Sequence, residues 1–547
     1  MLVSLLLLCQ DSVALERGSS LDQSLGPSAS RRYTLGLRKG ESAEVTVTQR
    51  GADVVLELLA PDGRRVDSVD SPTGSTGDEE LAIVAEVDGA YAVLVRLFDG
   101  DARGGDYRIA VRESRDQAET ERWSEARTAA RRSASGWLRE RAGALALHEG
   151  ALEGPGLERF DLLAEQTRVL GLGEATHGSQ EFGDVRLALT RRLVAQHEVR
   201  LIALEASSAR LRTVDAWARN SASSEGELPE LFGPGWIGRR PMQALARFAR
   251  EWNTAHPGDP LELVGLDAQD NGPAREILSD FGRKAFEPDY AARMASVVQK
   301  IAAADAQAAV FGPSDVGADE GRFLRQLLGR LELERSILEA RLGEPRVRAA
   351  VEAVRDLAQF AEFNGGRDGE PQRSRDWTMA ANLLRVLQPG ERAVYWGHNA
   401  HVAHIPSSPD DTARAGAILR KLLGEEYGAV ATSFREGGFL AQLPDDPGDR
   451  LMTFTLPPSP EESIDAVLDA MSFGDGIVTW TRAEAAVAPK WLATPRPMHW
   501  IGGLFSGAWL PHQWIQPQRL VADFDGVVFL QKVQSEIVPE IGKRRAP

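Results

Sequence analysis

Apolar and polar residues alternate at a period of about two along residues 31–112, which is the pattern of half-buried β-strands. Turn sequences rich in Gly, Pro and Asp, such as Pro61–Gly63, separate the apolar runs. The predicted strands include Glu44–Thr48, Val54–Leu59, Leu81–Val84, Tyr91–Val95 and Tyr107–Val111. Short strands at this spacing predict a small all-β sandwich over residues 31–113.

From residue 166 onward, short apolar runs alternate with amphipathic helical segments, which is typical of an α/β fold. The first four runs lie at Val169–Leu172, Leu201–Leu204, Leu261–Leu266 and Ala393–Trp396. A long Arg- and Glu-rich helical stretch separates the third run from the fourth and predicts a helical insertion. We therefore expect an α/β catalytic domain with a mainly parallel sheet over residues 166–535, joined to the sandwich by a helical linker over residues 114–165.

Composition excludes several classes of function. A chain of 547 residues with 43% hydrophobic and 26% charged residues is typical of a globular protein of more than one domain. A net charge of −17 argues against nucleic acid and against an anionic membrane surface as partners. The single cysteine, Cys9, excludes internal disulfides and any Cys-based metal site or nucleophile in the folded body. Oligomeric state is not indicated by the sequence.

The N-terminus, residues 1–30, begins with the apolar run Met1–Cys9, which is too short to cross a bilayer. It resembles the apolar core of a secretory signal peptide that lacks a basic start, and it predicts export to the periplasm, the cell envelope or the medium. A disordered apolar tail on a cytoplasmic protein is the alternative. No later apolar run is long enough for a transmembrane helix, so stable membrane insertion is not expected.

Each of the first four α/β runs ends in residues with usable chemistry. Parallel strands bring their carboxyl ends to one edge of a sheet, where open α/β folds place their reactive groups. The residues at these ends are Glu174 and His177, then Glu205, then Asp267, and finally His398, Asn399 and His401. The sequence therefore predicts that they converge on one site.

Glu174 and His177 lie three residues apart in a loop flanked by Gly173 and Gly178. A carboxylate at that spacing orients the imidazole and makes it a stronger base. Alternatively, His177 caps the next helix and Glu174 is a solvated loop residue; the Gly-rich exit from the strand favours the catalytic interpretation.

The second histidine segment carries His398, His401 and His404, and imidazole is a common zinc ligand. We assign His398 and His401 to the site and expect His404 to face solvent, with zinc binding as an open alternative. Arg375 is a candidate partner for Glu205, because Arg and carboxylate form planar bidentate pairs. A surface pair of Arg375 with its neighbour Asp376 is the other interpretation.

Five ordered motifs resemble the erythromycin esterase family from about residue 120 to the C-terminus. They are Gly171-Leu-Gly-Glu-Ala-Thr-His-Gly178, Ala203–Glu205, Gly265–Asp267, Arg375–Asn382 and Trp396-Gly-His-Asn-Ala-His-Val402. The sandwich, with its Gly-Asp-Tyr lead into the last strand, resembles a pre-peptidase C-terminal domain, which implies an accessory module.

The family resemblance implies an α/β fold with a deep cleft and a metal-independent hydrolase of esters or macrolactones, with a role in macrolide resistance. It implies that His177 is the general base and Glu174 its supporting carboxylate. Glu205, Arg375, His398 and His401 match other positions lining the cleft, and we expect Asp267 and Asn399 to bind the small-molecule ester or lactone. No cofactor is expected. The alternatives are a metal-dependent hydrolase of the same fold and a secreted protein that binds haem or a small molecule without turnover.

Overall fold

The structure is a computed structural model of the chain. It describes residues 12–70, 75–98, 104–148, 150–220, 222–232, 239–308, 316, 318–364, 375–404, 414–444, 451–507 and 514–536. The apolar run at the N-terminus, including Cys9, lies outside the described residues. No helix in the described ranges is long and apolar enough to cross a membrane.

The first unit is the predicted β-sandwich. Its strands are β1 (Val13–Ala14), β2 (Ser20–Leu25), β3 (Ser30–Leu37), β4 (Ser42–Arg50), β5 (Val54–Leu59), β6 (Arg65–Val69), β7 (Thr76–Val84), β8 (Gly89–Leu97) and β9 (Gly105–Arg115). They form one sheet in the order β1-β3-β8-β5-β6 and another in the order β2-β9-β4-β7. The inward side chains of both sheets share one apolar core, in which the hydroxyls of Tyr33 and Tyr107 are 2.6 Å apart. The sandwich begins before the expected residue 31, because β1 and β2 belong to it.

The segment after the sandwich is not the simple helical linker expected for residues 114–165. It starts with helix α1 (Gln117–Arg139), which Asp116 and Glu119 begin with a capping box. Three short strands follow, β10 (Ala142–Ala144), β11 (Ala146–His148) and β12 (Ala151–Glu153). Since β10 pairs with the strand Gly476–Thr479 at one end of the large sheet, the catalytic domain begins inside the predicted linker.

The second unit is built on a sheet of nine strands among the described residues. Its other strands are β13 (Val169–Glu174), β14 (Val199–Ser207), β15 (Glu262–Asp267), β16 (Arg392–His398), β17 (Tyr427–Gln442), β18 (Leu451–Leu456), β19 (Gly476–Thr479) and β22 (Gly526–Val533). The order is β10-β19-β22-β17-β13-β16-β14-β15, with β18 paired to β17. The neighbours from β22 to β15 are parallel, so the predicted mainly parallel sheet is confirmed. A separate hairpin contains β20 (Arg496–His499) and β21 (Ile515–Gln518).

Helices cover both faces of this sheet, because its central strands are apolar on both sides. The helices are α2 (Gly156–Gln166), α3 (Gln180–Gln196), α4 (Ser208–Arg219), α5 (Leu228–Leu231), α6 (Arg239–Ala255), α7 (Gly272–Ala285), α8 (Pro288–Ala308), α9 (Ala318–Leu333), α10 (Arg335–Leu342), α11 (Glu344–Asn364), α12 (Arg375–Val386), α13 (Asn399–Val402), α14 (Ala415–Leu423), α15 (Ile464–Asp469), α16 (Arg482–Ala486), α17 (Lys490–Ala493) and α18 (Leu520–Asp523). Helices α7 to α11 have an apolar core of their own and form the predicted insertion between β15 and β16.

The topology brings the strand ends of interest together. Strands β13, β16, β14 and β15 are consecutive parallel neighbours in the sheet, although they are far apart in the chain. Glu174 is in register with His398, and Ser207 is in register with Asp267. The carboxyl ends of four strands therefore meet at one edge, as the sequence predicts.

Candidate active site

The first part of the site is a chain of three side chains, His177, Glu174 and Arg186. His177 Nδ1 lies 2.8 Å from Glu174 Oε1, and Arg186 donates from Nη2 to Glu174 Oε2. The Arg186 side chain is 3% exposed and lies over the ring of Trp396, 4.7 Å from its centroid. Since Glu174 accepts from Nδ1–H, His177 presents Nε2 as an acceptor, and no described residue hydrogen-bonds to that atom.

The electrostatics of His177 follow from this arrangement. Burial alone lowers its pKa, but the hydrogen bond and the negative charge of Glu174 outweigh burial, with a further contribution from the charge of Glu205. The pKa of His177 is therefore raised above its ordinary value of 6.5, and Arg186 partly opposes this rise. The imidazole is a stronger base than a free histidine when it is neutral.

Glycines allow the loop after β13 to approach its neighbours closely. A Cβ at position 173 would clash with Asn399 Oδ1, and one at position 178 would clash with the backbone of Leu440. Between them, Ala175 N donates to Thr432 Oγ1 over 2.8 Å, and Ala175 O accepts from Ile501 N, also over 2.8 Å. The glycines and these bonds fix the position of the loop that carries His177.

Glu205 is the centre of the second part of the site. Its Oε1 accepts from Arg375 Nη2 over 2.9 Å, and its Oε2 accepts from the backbone N of His398 over 2.7 Å. Arg375 also donates from Nε to Asp267 Oδ2 over 2.7 Å. Burial raises the pKa of Glu205, but the charges of His401 and Arg375 hold it well below its ordinary value. The predicted pairing of Arg375 with Glu205 is therefore present, and Arg375 is not a surface residue paired with Asp376.

His401 lies between two carboxylates. Its Nδ1 is 2.8 Å from Asp376 Oδ1, and its Nε2 is 3.2 Å from Glu205 Oε1. Burial lowers the pKa of His401, but these two charges and hydrogen bonds outweigh burial and raise it to about 9. His401 is therefore an imidazolium at neutral pH, with both N–H groups committed.

Both ring nitrogens of His398 form hydrogen bonds with backbone groups. Its Nε2–H donates to Ile501 O over 3.2 Å, and its Nδ1 accepts from Ala400 N over 3.1 Å. Burial and the neighbouring His177 keep the pKa of His398 well below 6.5, so the ring is neutral. Its centroid lies 5.3 Å from that of His177 and 5.2 Å from that of Trp500, in both cases edge to face.

These contacts bear on the zinc alternative. His398 has no free lone pair, and His401 is held as a cation by two carboxylates, whereas a metal ligand must offer an unprotonated nitrogen. In the described ranges, no group of three or more His, Cys, Asp or Glu side chains is arranged to hold a metal ion. The donor set present does not fit a metal centre.

Two other predicted residues differ in their surroundings. Asp267 lines the cavity beside Arg375. Asn399 is fully buried, and its amide group is bonded to the backbone of Thr432 in both directions, over 2.8 and 3.0 Å. Its assignment to substrate binding stays a prediction. The expectation that His404 faces solvent was wrong, since it is 9% exposed with Nε2 2.7 Å from Asp525 Oδ2.

The site opens into a cavity of about 310 Å³, which is within the range of ligand pockets. His177, Arg186, Glu205 and Arg375 line its floor, and the apolar side chains of Leu211, Phe232 and Met242 line one wall. At the rim, Arg210 forms a two-pronged ion pair with Asp270, with Nη2 2.9 Å from Oδ1.

Sequence reasoning missed Arg186 and did not assign Asp376 to the site. Arg186 had a signal, because it is one helical turn after Phe182 and one before Leu189, on the buried face of α3. An arginine on an apolar face requires a buried partner. Asp376 had no such signal, since the first turn of a helix is an ordinary place for an acid.

A parallel sheet with a histidine and carboxylate site at the carboxyl ends of its strands is the architecture of an α/β enzyme. Residues 194–533 match the family model of erythromycin esterase, and the chain belongs to the erythromycin esterase family. The matched range contains Glu205, Asp267, Arg375, His398 and His401, and it begins after His177. Membership supports a hydrolase of that family, as the resemblance implied.

Solved structures share the fold at low sequence identity. A Bacillus cereus protein is 18% identical, with 75% of this chain and 99% of that chain covered at a TM-score of 0.61. A succinoglycan biosynthesis protein is 17% identical, with coverage of 75% and 98% at a TM-score of 0.58. A mutant of erythromycin esterase EreC in its open conformation is 18% identical, with coverage of 70% and 95% at a TM-score of 0.51.

Proposed function

We propose that the protein hydrolyses a carboxylic ester or lactone by direct attack of a water molecule that His177 activates. The observation that carries the proposal is the orientation of His177, whose Nδ1–H is held by Glu174 while Nε2 has no partner among the described residues and the ring lines the cavity. A positioned base of this kind contributes about 10²–10⁴-fold to a rate.

The proton balance is simple. His177 Nε2 accepts a proton from water as the water oxygen attacks the carbonyl carbon, and Glu174 stabilises the resulting imidazolium. The same proton then passes from Nε2 to the leaving alkoxide as the carbon–oxygen bond breaks. One water is consumed, an acid and an alcohol are formed, and His177 returns to its neutral state.

Arg375 is the proposed stabiliser of the oxyanion. Its Nε and Nη2 are occupied by Asp267 and Glu205, whereas Nη1, among the residues that the structure describes, has only His401 Nε2 nearby, at 3.4 Å. A guanidinium fixed by two carboxylates needs no reorganisation when charge develops on the carbonyl oxygen. Glu205, Asp267 and His401 would therefore act by holding Arg375 in place.

Two observations favour direct water attack over a covalent intermediate or a metal. Ser207 lines the cavity, but its hydroxyl donates to Asp270 O over 2.7 Å and accepts from Arg210 N over 3.2 Å, so no base activates it. The ring nitrogens of the other two site histidines, His398 and His401, already take part in hydrogen bonds. We therefore propose a reaction without cofactor.

The macrolactone remains our proposed substrate class within the esters, on the basis of family membership. A role in macrolide resistance and a location outside the cytoplasm are proposals that depend on the substrate and on the N-terminal apolar run. The substrate question is open to direct measurement, because hydrolysis of a lactone adds the mass of one water.

The test is His177→Asn, with His148→Asn as a matched control, because His148 is exposed on β11. We expect kcat/KM for an aryl acetate and for erythromycin to fall by about 10²–10⁴-fold in the first variant and to be unchanged in the second. Circular dichroism checks the fold of both variants. A folded His177→Asn protein with more than a tenth of the wild-type kcat/KM contradicts the assignment, and an acyl adduct in the intact mass of the enzyme contradicts direct water attack.

A further inference from the structure

A second and larger cavity lies away from the active site, between the sandwich and the catalytic domain. This interdomain crevice has a volume of about 770 Å³. Strands β4, β6, β7 and β9 of the sandwich form one wall. Helix α1, the segment around Glu462 and the β20–β21 hairpin form the opposite wall.

The wall opposite the sandwich is cationic. Arg127, Arg131 and Arg496 line it, and Glu462 is the one carboxylate on the same wall within the described residues. Arg127 Nη2 lies 2.9 Å from Glu462 Oε2, and Arg131 also pairs with Glu462. Three guanidinium groups thus face one carboxylate, in a protein whose net charge is −17.

Arg127 is held in position independently of any ligand. Its guanidinium carbon lies 4.4 Å from the centroid of the Trp123 ring, on which Arg115 also packs, at 4.8 Å. Trp123 itself lines the crevice. The cationic wall therefore contains a pre-positioned arginine, which reduces the entropy lost when an anion binds.

Arg496 is the cation without a counter-charge. Its Nε is shielded from solvent and has no hydrogen-bond partner, and the guanidinium forms no ion pair with any described residue. Burial and the neighbouring Arg127 lower its pKa, and Glu462 only partly opposes this. A buried donor without a partner costs free energy, and an oxyanion at this point would satisfy it.

The opposite wall has a different chemistry. It contains four carboxylates, two hydroxyls and one arginine that is paired with Asp78: Glu44, Asp67, Asp70, Glu80, Thr46, Ser68 and Arg112. The carboxylates accept hydrogen bonds from hydroxyls and would repel a second anionic group. A ligand that fits both walls has one anionic end and a neutral, hydroxyl-bearing remainder.

We propose that the interdomain crevice is a second binding site, which takes a hydroxylated organic anion with its carboxylate or phosphate group against Arg496 and Arg127. Acidic sugars are the simplest members of this class. The site is separate from His177, and the proposal does not depend on the esterase reaction.

The β20–β21 hairpin joins the crevice to the active site. Its first strand begins at Arg496 on the crevice wall and ends at His499, directly before Trp500 and Ile501. Trp500 packs against His398, and the Ile501 peptide binds both His398 and Ala175. An occupied crevice would therefore contact the same short hairpin that holds the loop before His177.

The experiment is isothermal titration of the full chain with glucuronate, glucose 6-phosphate and glucose. We expect at least one of the two acids to bind about tenfold or more tightly than neutral glucose, and the binding to weaken as salt rises. Tighter binding of glucuronate identifies the carboxylate as the ligand group, and tighter binding of glucose 6-phosphate identifies the phosphate. If neither acid binds more tightly than glucose, the proposal is overturned.

Two variants should change the affinity in opposite directions. Arg496→Gln should weaken binding of the preferred acid about tenfold, and Glu462→Gln, which removes the competing carboxylate, should strengthen it. Arg348→Gln is the matched control, because Arg348 is an exposed arginine on α11, and His177→Asn separates the crevice from the active site. Both should bind the acid as the wild type does. An unchanged affinity in Arg496→Gln overturns the proposal. If that variant does not fold, an unchanged affinity in Glu462→Gln overturns it instead. Loss of binding in His177→Asn also overturns the proposal.

Discussion

Replacement of His401 tests whether the second half of the site is held together by a buried imidazolium. The pKa of His401 in the folded protein is raised to about 9, against 6.5 for an unperturbed histidine. A difference of about 2.5 pKa units, at about 1.4 kcal/mol each, corresponds to about 3 kcal/mol of stability. The side chain is 12% exposed, so solvent screening reduces this figure little.

The sign follows from the direction of this rise. Because the folded pKa lies above the unfolded one, the stabilisation is fully present below pH 6.5 and is lost as the pH rises through about 9. It amounts to about 3 kcal/mol at pH 6, about 1 kcal/mol at pH 8 and less than about 1 kcal/mol at pH 9. The difference in unfolding free energy between wild type and His401→Gln should therefore shrink by about 3 kcal/mol from pH 6 to pH 9.

The assay is urea unfolding followed by tryptophan fluorescence. All of the 12 tryptophans lie after residue 116, so the signal reports mainly on the catalytic domain and its entry helix. His148→Gln is the control for loss of an exposed histidine. Asp376→Asn should move the pH window downward, because it removes one of the charges that raise the pKa of His401. A wild-type to His401→Gln difference that stays constant from pH 6 to pH 9 refutes the reasoning.

Two further predictions concern Glu174 and Arg186. Glu174 raises the pKa of His177, so Glu174→Gln should move the acid limb of kcat/KM to lower pH. Arg186 lowers the same pKa, so Arg186→Leu should move the acid limb to higher pH. pH–rate profiles with an aryl ester measure both shifts, and shifts in the same direction contradict the assignment of the acid limb to His177. Arg186→Leu should also destabilise the catalytic domain by about 3 kcal/mol, because it leaves the buried Glu174 carboxylate with His177 as its one remaining described side-chain partner. Adding Glu174→Gln should recover part of that loss. Urea unfolding of the two single variants and the double variant measures the coupling, and additive effects would show that the two side chains do not interact.

Much of the catalytic architecture could be predicted because it depends on where strands end. Apolar runs at Val169, Leu201, Leu261 and Ala393 each became a parallel strand, and the polar residue after each run reached the same edge. That inference needs only periodicity and the rule that parallel strands share a direction. It placed Glu174, His177, Glu205, Asp267 and His398 at one site without any knowledge of side-chain contacts.

Other features could not be predicted from the sequence, because they depend on contacts between side chains and groups that are far apart in the chain. Nothing in the local pattern shows that His398 is bonded to the backbone at Ile501, 103 residues later in the chain. The burial of His404 has the same origin, since its partner Asp525 lies far later in the chain, directly before β22. The early start of the sandwich was missed because β2 was read as part of a signal-like N-terminus, although Leu21 and Leu25 alternate with polar residues.

The neutrality of His398 has a consequence for the proposed reaction. The rings of His177 and His398 are 5.3 Å apart, so two positive charges there would repel each other, and this repulsion helps to lower the pKa of His398. The proton taken from water therefore stays on His177, where Glu174 stabilises it, and is not shared with the second ring. Since His398 also donates to Ile501 O, it remains a neutral support throughout the cycle. Replacement of His398 should therefore lower kcat, because the loop that carries His177 is misplaced. The acid limb of the pH profile should still report the titration of His177.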